Sequence, residues 1–258
     1  MEGVSDTPVP RPAAPPPVAA RHMAAAPKTS SVTAPLPVEP PAIPACNEQP
    51  PQWFLMRRTY VYDSGSSVTE RSRKKELHRA ALEYRTRHYG RVPGAGDPSW
   101  PARPASLQVR KGRFFGLEVM MNERVLVALG CVEERIHRDC GEIYAPVALS
   151  GWRDYDTFTN GEVSNHRFGI AIDVDYGLNP CCGCIAAISD RPLCKKPVAS
   201  PFERTVIPRC WVDTFARYGF YWLGYDQLED TMHFEFLGDP ERIEHDESPS
   251  SLVSIPSP

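Results

Sequence analysis

Two stretches of the sequence decide the fold, residues 164–173 (SNHRFGIAID) and residues 230–236 (DTMHFEF). In each stretch apolar residues alternate with polar or small ones, and this period of two predicts a β-strand with one face in the core. The alternation leaves Asp173 facing a cleft from the first strand, and it puts His233 and Glu235 on one face of the second. We therefore expect two strands that present ionisable side chains on the face away from the core.

The ionisable residues of these stretches are of the types that bind metal. His166 precedes the first strand, and Gly169 allows the backbone to turn back and bring the imidazole near Asp173. Together with His233 they form a set of two histidines and one aspartate, which leaves a coordination position of zinc open to water. Asp230 precedes His233 by three residues and would act as a base beside that water. The ordinary alternatives are a histidine satisfied in the core and, at Asp230, a turn residue that opens the strand.

The remaining patterns place helices before strands. Helical spacing of apolar residues predicts helices over residues 68–89 and 123–138, and short apolar or alternating runs predict strands over 146–152, 169–174 and 232–236, with a short helix over 211–218. Strands and helices do not alternate regularly, which argues against a parallel sheet. The predicted fold class is α+β, with a small antiparallel sheet and helices packed on it.

Proline marks a boundary near the start of the chain, because 14 of the 28 prolines lie between Pro8 and Pro51. We expect a Pro/Ala-rich disordered arm over residues 1–51, a folded domain over 52–246 with an N-terminal helical extension, and a flexible tail over 247–258. No signal peptide is visible in the sequence as written, and no run approaches the ~20 apolar residues of a transmembrane segment. The net charge of -3 gives no reason to expect binding to nucleic acid. Oligomeric state does not follow from the sequence.

Five of the eight cysteines lie in an irregular, proline-containing insertion over residues 179–210. An even number of cysteines is typical of disulfides formed in an oxidising compartment. The alternative is a second, structural zinc held by Cys181 and Cys184 with partners such as Cys194 and Cys210.

The two stretches together resemble the D-alanyl-D-alanine carboxypeptidase and L-alanyl-D-glutamate endopeptidase family of zinc peptidases, over roughly residues 122–236. The resemblance implies an antiparallel sheet with a zinc site in a cleft on it, Zn²⁺ bound by His166, Asp173 and His233, and a catalytic carboxylate. Many members carry a glutamate three residues before the second histidine, whereas this chain has Asp230, as in the endolysin-like branch. Glu229 is adjacent and remains the alternative base.

Three further residues are candidates for contact with substrate. Leu149-Ser150-Gly151-Trp152-Arg153 resembles a family segment whose arginine faces the metal, which implies that Arg153 stabilises a charged intermediate or holds a substrate carboxylate. An ion pair with Asp154 or Asp156 is the alternative. Ser164 is expected to bind substrate or to cap the turn, and Trp222 to wall the cleft or to pack in the core.

These observations predict a zinc metallopeptidase that hydrolyses peptidoglycan stem peptides in the cell envelope, in the periplasm or outside the cell. Cleavage as a D-alanyl-D-alanine carboxypeptidase is the first expectation, and cleavage as an L-alanyl-D-glutamate endopeptidase is the alternative. An inactive wall-binding relative and an intracellular zinc protein with reduced cysteines remain as rival interpretations.

Overall fold

A four-stranded antiparallel sheet, in the spatial order β3-β4-β6-β5, forms the centre of the domain. The computed structural model describes residues 46–156, 162–185 and 189–244. The strands of this sheet are β3 (Leu149–Ser150), β4 (Ala171–Val174), β5 (Phe220–Trp222) and β6 (His233–Phe236). A separate hairpin consists of β1 (Val109–Phe114) and β2 (Leu117–Asn122), and the helices are α1 (Val68–Tyr89), α2 (Glu123–Asp139) and α3 (Arg209–Arg217). The α+β prediction is confirmed.

The β-hairpin was not expected from the sequence. Charged residues on both strands obscure the alternation of Val109–Phe114 and Leu117–Asn122. The turn is made by Phe115 and Gly116, both with positive φ (48° and 75°), as a two-residue hairpin turn of the primed type requires. The strand predicted over 146–152 is shorter than expected and comprises only Leu149–Ser150.

Aromatic and aliphatic side chains from α2 and α3 cover one face of the four-stranded sheet. Phe215 of α3 stacks on Phe234 of β6, with ring centroids 4.1 Å apart, and α2 buries Leu129 and Val132 completely. Asn122 caps α2 by accepting a hydrogen bond from the backbone N–H of Arg124 at 3.1 Å. The helices therefore fill the apolar face of β6 and leave the opposite face to His233 and Glu235.

The N-terminal extension packs against the sheet through a second apolar cluster, which contains Leu55, Tyr60, Ala81, Tyr221, Leu223 and Leu237. The extension includes α1, whose N-terminus is capped by Ser67. Gly90 ends α1 with φ of 96°, and a Cβ at this position would lie 2.7 Å from the Cα of Ala105. A glycine is therefore required at the end of α1 on both conformational and steric grounds.

Residues 46–51, which the sequence analysis assigns to the arm, are attached to the domain. Asn47 N donates to Ile243 O at 3.0 Å and Gln49 N to Arg217 O at 2.8 Å. The described fold therefore already includes Cys46, before the predicted boundary at residue 52. Residues 1–45 of the arm and the predicted tail lie outside the described residues. No helix within the described ranges is long and apolar enough to cross a membrane.

All eight cysteines form disulfides, Cys46–Cys131, Cys140–Cys210, Cys181–Cys184 and Cys182–Cys194. This pairing favours the disulfide interpretation of the insertion over a second structural zinc. The first two bridges span 85 and 70 residues of sequence. They tie the N-terminal segment to α2, and the C-terminal end of α2 to α3.

The two long-range bridges are expected to carry most of the disulfide contribution to stability. In the chain-entropy model, a disulfide restricts the unfolded chain more when it closes a longer loop. We predict that the Cys46→Ser/Cys131→Ser variant loses about 2–4 kcal/mol of unfolding free energy. The Cys181→Ser/Cys184→Ser variant, whose bridge spans a separation of 3, should lose clearly less. Guanidinium unfolding under non-reducing conditions measures both, and equal losses would contradict the expectation.

Candidate active site

The position of His166 is fixed by a 3₁₀ turn, Asn165–Phe168, that leads into β4. Ser164 caps this turn and accepts a hydrogen bond from the backbone N–H of His166 at 3.3 Å. Gly169 ends the turn with φ of 71°, and a Cβ here would lie 2.7 Å from Asn122 N. The turn therefore depends on glycine, and it leaves the His166 side chain fully buried beneath the sheet face.

The orientation of the His166 ring follows from its second nitrogen. The Nδ1 atom lies 2.6 Å from the carbonyl oxygen of Gly151. Because a carbonyl oxygen only accepts, Nδ1 carries the proton, and the lone pair of Nε2 is left facing Asp173 and His233. This is the tautomer that a metal ligand needs.

The three predicted ligands meet at one point. β4 and β6 pair antiparallel with Asp173 opposite His233, and Asp173 Oδ1 lies 2.9 Å from His233 Nδ1. His166 Nε2 lies 3.1 Å from Asp173 Oδ2 and 3.2 Å from His233 Nδ1. Ligand atoms about 2.0–2.1 Å from a tetrahedral zinc are about 3.3 Å from each other. Asp173 makes the two contacts with different oxygens, and one ligand atom from each of the three residues lies within 4.8 Å of the other two. The three residues can therefore supply one face of such a coordination sphere.

Glu235 lies behind His233 on the same strand. Its Oε2 is 3.5 Å from His233 Nε2 and accepts a hydrogen bond from Asn165 Nδ2 at 2.5 Å. A carboxylate on this side of the ring favours a proton on Nε2 and leaves Nδ1 free to bind metal. Glu235 was recognised from the sequence only as a neighbour of His233 on the same face.

The pKa values of the cluster describe a site that attracts positive charge. Burial raises the pKa of Asp173, but His166 and His233 outweigh burial and hold it well below the usual value. Burial lowers the pKa of His233, but the hydrogen bond to Asp173 and the nearby carboxylate of Glu235 reverse this effect and raise it to about 10. Burial lowers the pKa of His166. In the metal-free protein, a proton on His233 balances the negative charge of Asp173 and Glu235. A bound cation would supply that positive charge instead.

Asp230, the predicted base, faces the same cavity as Asp173 and His233. It is buried, and its Oδ1 has no hydrogen-bond partner among the described residues. Burial is the largest influence on its pKa and raises it to about 7, a value suited to accepting and releasing a proton near neutral pH. Glu229, the alternative base, instead forms an ion pair with Arg204 and does not line the cavity. The geometry therefore favours Asp230.

Arg153 lies beside the three donors. Its Nη1 is 3.4 Å from Asp173 Oδ2, and its side chain lines the cavity. The alternative pairing with Asp156 is not observed, because Asp156 accepts from Arg167 Nη1 at 2.7 Å. Arg153 is therefore available to a group that enters the cavity.

The two predicted substrate contacts have different positions. Ser164 caps the turn and also lines the cavity. Trp222 does not line it: only 2% of Trp222 is exposed, and its Nε1 donates to Thr231 O at 2.9 Å. The structure favours the core-packing alternative for Trp222, because the ring points from β5 into the core, where it packs against Phe202.

The N-terminal extension contributes cavity residues that sequence reasoning missed. Arg57 and Tyr60 both line the cavity. Arg57 donates to both carboxylate oxygens of Glu162 at 2.7 and 2.9 Å, and to Asp226 at 2.9 Å. Arg57 and Tyr60 lie far in sequence from the other residues of the cavity and follow no periodic pattern. Only the folded structure therefore shows that they belong to it.

Comparison with known proteins finds one family to which part of the chain is similar. Residues 157–236 match the family model described as D-alanyl-D-alanine carboxypeptidase. The matched segment contains His166, Asp173, Asp230 and His233, and Arg153 lies just before it. No curated protein and no solved structure gives a significant match to the chain. The matched segment, with both motifs in order, is similar to the D-alanyl-D-alanine carboxypeptidase family of peptidases.

Proposed function

We propose that the protein is a zinc-dependent peptidase that hydrolyses peptidoglycan stem peptides as a D-alanyl-D-alanine carboxypeptidase. The observation that carries the proposal is the donor triangle, one ligand atom each from His166, Asp173 and His233 within 4.8 Å of one another, with buried Asp230 in the same cavity. His166, Asp173 and His233 would hold the ion. When bound, zinc would polarise the scissile carbonyl and lower the pKa of water.

The side chains around the donor triangle have separate roles in proton transfer, charge stabilisation and substrate binding. Asp230 accepts a proton from the attacking water and transfers it to the amine nitrogen of the departing residue. Arg153 offsets the negative charge that develops on the scissile carbonyl oxygen. Ser164 and Asn165 line the cavity beside His166, and Ser164 offers a hydroxyl to the peptide backbone of the substrate.

The disulfides support a place of action outside the cytoplasm. All eight cysteines are paired, and such pairing persists in oxidising compartments. Peptidoglycan lies outside the cytoplasmic membrane, so the substrate and the redox state are consistent with each other. A metal-binding residue type is present at every expected ligand position, which disfavours an inactive wall-binding relative.

The ligand assignment predicts the metal content of single variants. His166→Ala, Asp173→Ala and His233→Ala should each lose zinc, because three protein ligands leave no replacement. His137→Ala is the control, since His137 lies on α2 with 57% of its side chain exposed and away from the cavity. Elemental analysis of purified protein measures the zinc content. Full occupancy in any of the three variants would remove that residue from the ligand set.

The base assignment predicts a different result for Asp230→Asn. This variant should keep its zinc and lose turnover by about 10²-fold or more, the usual contribution of a general base. Glu229→Gln is the matched control and should retain near-normal turnover, because Glu229 pairs with Arg204 instead of facing the cavity. Steady-state kinetics with a stem peptide distinguishes the two. The reverse order of effects would transfer the base role to Glu229.

The bond that is cleaved is identified by mass spectrometry of defined stem peptides incubated with the full chain, with and without a chelator. Chelator-sensitive loss of the terminal D-alanine is the expected outcome. A new D-glutamate amino terminus would replace the proposal with L-alanyl-D-glutamate endopeptidase activity, which the Asp-x-x-His spacing at Asp230 and His233 also allows. Absence of any product from zinc-loaded protein would reject the proposed substrate class.

A further inference from the structure

The chain beside the proposed base forms a short antiparallel ladder with the Cys-rich insertion. Gly183 N donates to Leu228 O at 2.6 Å and Cys182 N to Glu229 O at 3.2 Å. Cys181 forms an isolated antiparallel bridge with Asp230. Further along, Thr231 N donates to Pro180 O at 3.0 Å. The backbone on both sides of Asp230 is therefore held by residues 180–183.

A disulfide closes this part of the insertion at the wall of the cavity. Cys181 and Cys184 are bonded to each other, and their sulfur atoms lie within 4.8 Å of a carboxylate oxygen of Asp230. Cys181 is completely buried, with its sulfur 3.4 Å from Leu228 O. Cys184 lines the cavity itself. The disulfide therefore lies beside the proposed catalytic carboxylate, at the edge of the insertion that faces the cavity.

The sequence separation of this bridge indicates a local role. The bridge spans a separation of 3, against 70 and 85 for the two long-range bridges. A loop this short removes little entropy from the unfolded chain, so the bridge adds little to overall stability. Its main effect is to fix the conformation of the turn 181–184.

Gly183 shows how closely the two segments approach. A Cβ on Gly183 would lie 2.4 Å from Gln227 O and 2.8 Å from the carbonyl carbon of Leu228. Both contacts are with backbone, so any side chain at residue 183 must push the segment before Asp230 away from the turn. The position of Asp230 therefore depends both on the backbone ladder with residues 180–183 and on the Cys181–Cys184 disulfide.

The Asp230 side chain depends on this backbone support. Its Oδ1 has no hydrogen-bond partner among the described residues. Its backbone N–H donates to Leu223 O at 3.1 Å, and its carboxylate accepts a hydrogen bond from the backbone N–H of Met232. The direction of the carboxylate is therefore set mainly by the position of the main chain over residues 230–232.

We propose that the disulfide-closed turn Cys181–Cys184 is a positioning element for Asp230, which holds the proposed base at the cavity and is required for full turnover but not for metal binding. This inference rests on the proposed peptidase function. Displacement of a catalytic group by about 1 Å can cost about 10²-fold in rate, so loosening the turn should act on kcat. Substrate binding and the donor triangle should be little affected, because the donors lie on β4, on β6 and in the turn before β4.

The test compares two double variants of the full chain with the wild type. Cys181→Ser/Cys184→Ser should lower kcat by about tenfold or more, with KM within about twofold of the wild type and zinc content unchanged. Cys140→Ser/Cys210→Ser is the control: it removes a bridge that lies outside the turn 181–184, and neither of its cysteines lines the cavity. Its kcat should stay close to that of the wild type.

Gly183→Ala provides a second test that keeps every disulfide. It should lower kcat in the same way, with zinc retained, and it decides the question if the Cys181→Ser/Cys184→Ser variant does not fold. Normal kcat in both, or an equal loss in the Cys140→Ser/Cys210→Ser control, would overturn the inference. If zinc-loaded wild type cleaves no stem peptide, the proposed function fails and this inference fails with it. An active wild type with active variants rejects the positioning role alone.

Discussion

The antiparallel register between β4 and β6 is the constraint on which the site depends. It places Asp173 directly opposite His233, and the neighbouring pair, Ile172 and Phe234, points to the other face of the sheet. Because side chains alternate along a strand, a slip of one residue would turn either ligand into the core and an apolar side chain into the cavity. The large aromatic core under β6 therefore specifies the position of the ligands as well as the stability of the sheet.

Three buried charges in and around the cavity are tolerated because each has a polar or charged partner. Asp173 lies between two histidines, Glu235 contacts Asn165 and His233, and Arg57 is held by Glu162 and Asp226. A buried ionised group without such a partner would be costly. Asp230 Oδ1 has no hydrogen-bond partner among the described residues, and a carboxylate that is not fully satisfied and that lines the cavity is suited to accept a proton.

The sequence was most informative where chemistry and periodicity coincide. The strands around Asp173 and His233 could be predicted because alternation and ligand-type residues occur in the same short stretches. The β1–β2 hairpin was missed because its exposed charged residues hide the pattern. The position of Trp222 could not be decided from the sequence, because an aromatic residue just before the second motif is compatible with both the cleft wall and the core. The cavity wall from Arg57 and Tyr60 depends on long-range packing, which has no local signal.

The long-range disulfides also determine how the chain behaves once it has been cut. A break in the backbone between Cys46 and Cys131, or between Cys140 and Cys210, leaves both pieces joined by a covalent bridge. Between Cys46 and Cys210, only residues 132–139 lie outside these two loops, and they belong to α2. Proteases prefer exposed loops to helices packed on a core. A single nick in a surface loop of this region would therefore leave the donor-bearing segments attached to one another.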